Sequence, residues 1–279
     1  MKKLASRILV LLFCIILVHI ENSFGKNERV EYLQTKSGLR FAIMGKDTSN
    51  PAPTLFILSG TAASSLGDAY FRQCGNQLIE KGFLCVSLDL PCHGSEKYKD
   101  EPEGLEGWAF RIKHGQAFVG EFTSKLSEVL DYLVAEKYSD LNRIGACGTS
   151  RGGFIALHWA AKEKRIKCVT AFCPVVKLSV LDEFRGLEQQ CLVKNTDLDI
   201  STDKLADKAI WIVIGDQDTR VDTDSVIKFA REVSRASGKR SCIELHVMPE
   251  PRGHETPEAA PHSAALWIER YMQNEKQQH

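Results

Sequence analysis

A short apolar run, Arg143 to Cys147, arrives at Gly148-Thr149-Ser150-Arg151-Gly152-Gly153, and a helix-forming run, Phe154-Ile155-Ala156-Leu157, departs from it. Few arrangements accommodate that order. A serine on so tight a strand-to-helix turn sits in strained backbone, and side chains two positions to either side would strike the neighbouring strand and helix. Glycine at 148 and 152 removes them. The G-x-S-x-G spacing is that of a nucleophile elbow. It would stand the Ser150 hydroxyl clear of a sheet edge, above a helix N-terminus whose unpaired N–H groups face any developing negative charge. The same five residues alone also describe a glycine-rich turn that merely opens a helix, so the rest of the chain must decide between the two.

Around the turn, strands and helices alternate. Arg29–Thr35 and Leu39–Met44 flank Lys36-Ser37-Gly38 as a hairpin. Strands are predicted at Thr54–Leu58, Phe83–Leu88, Arg143–Cys147, Ile166–Phe172, Ala209–Ile214 and Cys242–Met248, the first two as continuous apolar runs. Helical spacing marks Asp68–Lys81, a long helix from Ile112 to Ala135, Phe154–Lys164, Asp224–Ala236 and Pro257–Met272. Glu96–Gly107, charged and containing Pro102, reads as a surface loop. From Val175 to Asp207 the periodicity fades, which predicts an insertion, a cap lying over the sheet edge at about 175–207. This alternation implies a mostly parallel sheet covered on both faces, the α/β class. At 279 residues and 43% hydrophobic, the chain suffices for one such domain over 26–279. A formal net charge of zero with scattered Lys and Arg argues against a nucleic-acid face.

The N-terminus differs in kind. Lys2, Lys3 and Arg7 precede the apolar run Ile8–Ile20, and small residues follow at Ser23 and Gly25. This is the pattern of a signal peptide over 1–25, cleaved after Gly25. The run is shorter than the roughly 20 residues a membrane span needs, so no stable membrane association is expected after cleavage. An exported protein, periplasmic or secreted, is predicted. Cys85, Cys147, Cys168 and Cys173 sit in or beside apolar runs as small buried hydrophobes. Cys74, Cys92, Cys191 and Cys242 are the disulfide candidates. No cysteine or histidine cluster has zinc spacing, and no metal or cofactor is expected.

In a parallel sheet the working groups collect at the carboxyl ends of the strands. Those ends are Ser59–Ala62, Asp89–Ser95, Ser150, Asp216–Asp222 and Gly253-His254. A serine hydroxyl needs a base within hydrogen-bond reach. His254 follows the last strand in a loop, whereas His246 lies within a strand and His114 and His158 lie in helices. His93 and His262 are further histidines, the latter in or near the final helix. The base needs an acid to hold its tautomer. Asp218 is the favoured candidate in Gly215-Asp216-Gln217-Asp218-Thr219-Arg220-Val221, with Asp216 its rival, and Asp216 or Asp222 could instead cap the next helix. The oxyanion needs two N–H donors. One is the backbone N–H of Arg151. The other belongs to the loop after the Thr54–Leu58 strand, where Thr61 is assigned and Ala62 is the rival. The Arg151 side chain is either substrate-facing or a salt-bridge partner.

The order serine, acid, histidine, with the motifs just quoted, resembles the α/β-hydrolase superfamily from about Thr54 to Trp267. Asp89-Leu90-Pro91-Cys92-His93-Gly94-Ser95 is similar to that superfamily's D-x-x-G-H-G-x-S loop, with Pro-Cys where Arg-Gly is common. By that resemblance His93 is structural. Gly-x-Ser-x-Gly-Gly in a compact chain resembles the prolyl oligopeptidase family and its small esterase relatives. The resemblance implies a serine hydrolase acting on a small acyl ester or a peptide through Ser150, His254 and Asp218. With no propeller domain preceding it, a carboxylesterase is expected ahead of a peptidase. Phe184, Leu187 and Leu192 of the insertion are either acyl contacts or simple packing. The competing class is a non-catalytic binder on the same scaffold, which a missing triad position would favour; here all three are filled.

Overall fold

The computed structural model describes residues 29–45 and 51–273. The predicted signal lies outside them, and among the described residues no helix is long and apolar enough to cross a membrane. Eight strands form one sheet in the order β1-β2-β4-β3-β5-β6-β7-β8. They are β1 (Glu31–Gln34), β2 (Arg40–Met44), β3 (Ala52–Leu58), β4 (Leu84–Ser87), β5 (Ser139–Thr149), β6 (Ile166–Phe172), β7 (Ala209–Gly215) and β8 (Ile243–Met248). The hairpin β1–β2 and the β2–β4 pair are antiparallel. Every pairing from β4 through β8 is parallel.

The apolar runs follow from burial on both faces. Successive side chains of a strand point oppositely, so β3 sends Phe56 and Leu58 into one core and Leu55 and Ile57 into the other. The first core is closed by α4 (Gly104–Lys113), α5 (Val119–Ala135), α6 (Arg151–Lys162) and α9 (Thr223–Ser237). In it Phe56 meets Trp159 edge-on at 4.6 Å between ring centroids. The second is closed by α1 (Ala62–Gly67), α3 (Gly75–Glu80) and α10 (Ala260–Gln273). Each fully buried Leu, Ile or Phe contributes roughly 1.5–3 kcal/mol. Two cores back to back make the central strands the most firmly placed part of the molecule.

Three expectations change. The helix predicted over Asp68–Lys81 is a series of short ones: α1, then α2 (Ala69–Arg72), then α3. Asp68 ends α1 and caps α2 through its carboxylate, and Gln73 breaks the chain with φ 50°. The long helix predicted from Ile112 to Ala135 is two, α4 and α5. Gly115, at φ +74°, turns the chain after α4, and the Gly115 and Gln116 N–H groups donate back to the Ile112 and Arg111 carbonyls, a glycine-based helix stop.

The third change is Glu96–Gly107, which is not simply a surface loop. It enters α4 and buries Glu101 beside Arg111, both 5% exposed. The guanidinium donates to both carboxylate oxygens, Nε at 2.8 Å and Nη2 at 2.6 Å. Removing one partner of such a pair strands the other charge in the core. Glu101→Ala is therefore expected to destabilise the fold by about 3–5 kcal/mol, read as a lower urea midpoint with unchanged slope.

The 175–207 segment is a run of short turns and helices, among them α7 (Cys191–Lys194) and α8 (Thr202–Leu205), packed on α4, α6 and α9. Cys74 and Cys92 are buried, Cys191 and Cys242 are exposed, and all four are free thiols, so none of these disulfide candidates is paired.

Candidate active site

Three strand ends deliver three side chains to one place. Ser150 lies between β5 and α6 with φ 54° and ψ −116°, a conformation L-residues rarely adopt. The turn is pinned on both sides: Ser150 N–H donates to the Phe172 carbonyl at 2.9 Å, and its carbonyl accepts from Val175 N–H at 3.2 Å. The two glycines are sterically required. A Cβ at Gly148 would lie 2.2 Å from the Gly152 carbonyl carbon, and one at Gly152 would lie 1.8 Å from the Leu58 carbonyl oxygen. Close approach of α6 to β3 thus sets where the serine stands.

His254, beyond β8, reaches both partners. Its Nδ1 lies 2.7 Å from Asp218 Oδ2 and its Nε2 lies 2.9 Å from Ser150 Oγ. A carboxylate only accepts, so Nδ1 carries the proton and donates, and Nε2 is left to accept the Ser150 hydroxyl proton. Asp218, 2% exposed, is itself held: Oδ1 accepts from Arg220 N–H at 3.0 Å and Val221 N–H at 3.2 Å. Its rivals are occupied elsewhere. Asp216 Oδ1 accepts from Glu250 N–H at 3.0 Å, tying β7 to the loop after β8. Asp222 caps α9 through Ser225 N–H. Three other described histidines are occupied elsewhere: His114 and His158 bond the Phe110 and Thr196 carbonyls, and His246 packs on Trp211.

Both backbone N–H groups assigned to the oxyanion, those of Arg151 and Thr61, have no hydrogen-bond partner among the described residues. Ala62 N–H already donates to Asp89 Oδ1 at 2.8 Å, which leaves Thr61 as the open donor of that pair. The Arg151 side chain points across the floor: Nε donates to the Ser59 carbonyl at 3.0 Å, joining the serine turn to the loop that carries Thr61. Burial holds its pKa below the usual arginine value, with the Arg220 charge adding to the effect. Arg220 in turn pairs with Glu183 at 2.5 Å, clamping the 175–207 segment to the turn that holds Asp218.

Sequence reasoning passed over Gln73. It is 1% exposed, and its amide donates to Thr149 Oγ1 at 3.2 Å and to Thr256 Oγ1 at 3.0 Å. It bridges the residue before Ser150 and the residue two after His254. A glutamine within an apolar helical run carries no local sign of that duty. Phe184 is fully buried in the main core, with Leu187 and Leu192 packed against it, so all three answer to packing. Leu192 lines a separate cavity of about 560 Å³ beside His158 and Lys204. Among the described residues no group of three or more His, Cys, Asp or Glu side chains is arranged to hold a metal ion.

Comparison with known proteins gives a consistent frame. The family model described as the prolyl oligopeptidase family matches residues 107–274. An uncharacterized protein of Escherichia coli (strain K12), YcjY, is 32% identical over 93 residues, which is 33% of this chain and 26% of that protein. The chain thus spans about a quarter of the curated relative it matches. Among solved structures, the Pyrococcus furiosus esterase Pf2001 superposes with a TM-score of 0.59 at 19% identity, over 89% of this chain and 91% of that one. A cold-adapted esterase from an Arctic intertidal metagenomic library superposes with a TM-score of 0.61 at 18% identity, over 88% and 94%. Porphyromonas gingivalis dipeptidyl peptidase 4 gives 0.63 at 17% identity, over 87% of this chain but 35% of that one. At such identities the likeness is one of fold.

Proposed function

Because this chain belongs to the prolyl oligopeptidase family of α/β-fold serine hydrolases, we propose that it hydrolyses carboxylic esters, with Ser150 as nucleophile, His254 as base and Asp218 as the acid that orients it. The observation that carries the reading is one imidazole bonded on both sides, 2.7 Å to a buried carboxylate and 2.9 Å to a serine hydroxyl. As Ser150 Oγ attacks the acyl carbonyl, its proton passes to His254 Nε2, and the Asp218 charge stabilises the imidazolium. The Arg151 and Thr61 N–H groups receive the oxyanion; donors of this kind, fixed before reaction, are each worth about 3–4 kcal/mol in the transition state. His254 then protonates the departing alcohol, and water repeats the sequence on the acyl-enzyme.

An ester is favoured over a peptide bond because the esterases superpose along almost their whole length, whereas the dipeptidyl peptidase is matched over 35% of its own. The test is a pair of assays on one preparation. A fluorophosphonate probe should label Ser150, and kcat/KM on p-nitrophenyl acetate should exceed that on an aminoacyl-proline p-nitroanilide by more than the intrinsic reactivity gap between the two. Faster cleavage of the anilide would assign a peptidase, and a probe that leaves Ser150 unlabelled would point to a silent binding scaffold.

A further inference from the structure

His93 is buried, 4% exposed, yet one of its ring nitrogens has no partner. Nδ1 lies 2.9 Å from the Pro91 carbonyl, which can only accept, so Nδ1 holds the proton. Nε2 is then a bare acceptor, and it has no hydrogen-bond partner among the described residues. Burial, with the nearby Arg151 charge acting in the same sense, holds the imidazole below its usual pKa, which keeps the ring neutral at neutral pH. Opposite stands Arg151, whose Nε is bonded to Ser59 while its terminal nitrogens have no partner among the described residues. Gly104, at φ +70°, lies beside both: a Cβ there would be 3.8 Å from His93 Nε2 and 3.9 Å from Arg151 Nη1. Gly60, the residue before Thr61, flanks the same imidazole edge, its own Cβ position 3.8 Å from Nε2. An open acceptor and an open donor therefore face one niche that two glycines leave clear, beside the proposed oxyanion donors.

From this we infer that the niche is an acyl subsite for a hydroxyl group, and that the preferred substrates are esters of short hydroxy acids. The inference rests on the ester reading above. The chemistry selects the ligand. A carboxylate would satisfy Arg151 but would meet the Nε2 lone pair and the field of Glu183 and Glu103, both of which act on that guanidinium. An ammonium group would satisfy Nε2 and be repelled by Arg151. A hydroxyl donates to the one and accepts from the other, pairing both groups where an alkyl chain pairs neither. Because the niche adjoins Thr61 and Arg151, the hydroxyl belongs close to the ester carbonyl, on carbon 2 or 3 of the acid.

The experiment holds the leaving group constant. Methyl butyrate is compared with both enantiomers of methyl 2-hydroxybutyrate and methyl 3-hydroxybutyrate, by pH-stat titration on the full chain. One hydroxy ester should exceed methyl butyrate in kcat/KM by roughly tenfold, the worth of one well-made hydrogen-bonded group. That ratio should fall to about one in Arg151→Met, which keeps the backbone N–H, and in His93→Phe. Should His93→Phe fail to fold, the wild-type ratio and the Arg151→Met ratio decide alone. Turnover of all five esters with no hydroxyl preference, or a preference that survives in Arg151→Met, overturns the subsite and leaves the ester reading standing. No turnover of any of the five overturns both.

Discussion

Ser150→Ala should abolish turnover, with kcat/KM on the best ester falling by a factor on the order of 10⁴–10⁶, while the far-UV spectrum and melting temperature stay close to those of the parent. The size of the loss follows from the geometry. His254 Nε2 has one proton to collect, from an oxygen 2.9 Å away, and alanine removes that oxygen without touching the elbow backbone. The oxyanion N–H groups remain, so a small residual rate over water is expected through them. Single-turnover kinetics with p-nitrophenyl acetate check it: a burst of nitrophenol from wild type and none from the variant. A variant that keeps even a tenth of the rate would remove Ser150 from the chemistry.

Gly152→Ala should cost the fold about as much as loss of the buried Glu101 charge. The added methyl would lie 1.8 Å from the Leu58 carbonyl oxygen, 2.3 Å from its carbon and 2.9 Å from Ser59 N. All three are backbone atoms of β3 and the loop after it, so no side chain can rotate out of the way. Helix α6 must back off the sheet, and with it go Ser150 and the spacing between the Arg151 and Thr61 N–H groups. A loss of roughly 3–5 kcal/mol is expected, of the kind that marks overpacking against rigid backbone. That corresponds to a melting temperature lower by about 10–15 °C for a chain of this size. Gly120→Ala is the matching control: it lies in α5 with nothing within 4 Å of its Cβ position, and alanine there should stabilise by up to about 1 kcal/mol. Thermal melts of the two variants side by side separate a steric requirement from a generic glycine effect.

The central strands were legible because burial on both faces forces unbroken apolar runs, and such runs stand out from any helix or loop pattern. Two helix boundaries were not. The break at Gln73 uses a residue in left-handed backbone with no glycine or proline to announce it. The start of α4 hides in a charged stretch because Glu101 and Arg111 are buried as a pair, and each looks like a surface residue until its partner is placed. Likewise Phe184 read equally well as a pocket wall or as core; only the packing of the 175–207 segment onto α4, α6 and α9 made it core.

Sequence alone determined the parallel α/β sheet, the serine on its constrained turn and the order serine, acid, histidine. Each of these is written in local chemistry: apolar period, obligatory glycine, and a titratable residue just past a strand. Tertiary structure alone showed that Asp218 rather than Asp216 meets His254, that the Ala62 N–H is bonded while the Thr61 N–H is open, and that one His93 ring nitrogen has no partner among the described residues. Those choices turn on where one proton or one lone pair finds a partner. The partner lies 27 residues away for Ala62 and 36 for Asp218, and local sequence holds no record of distance through space.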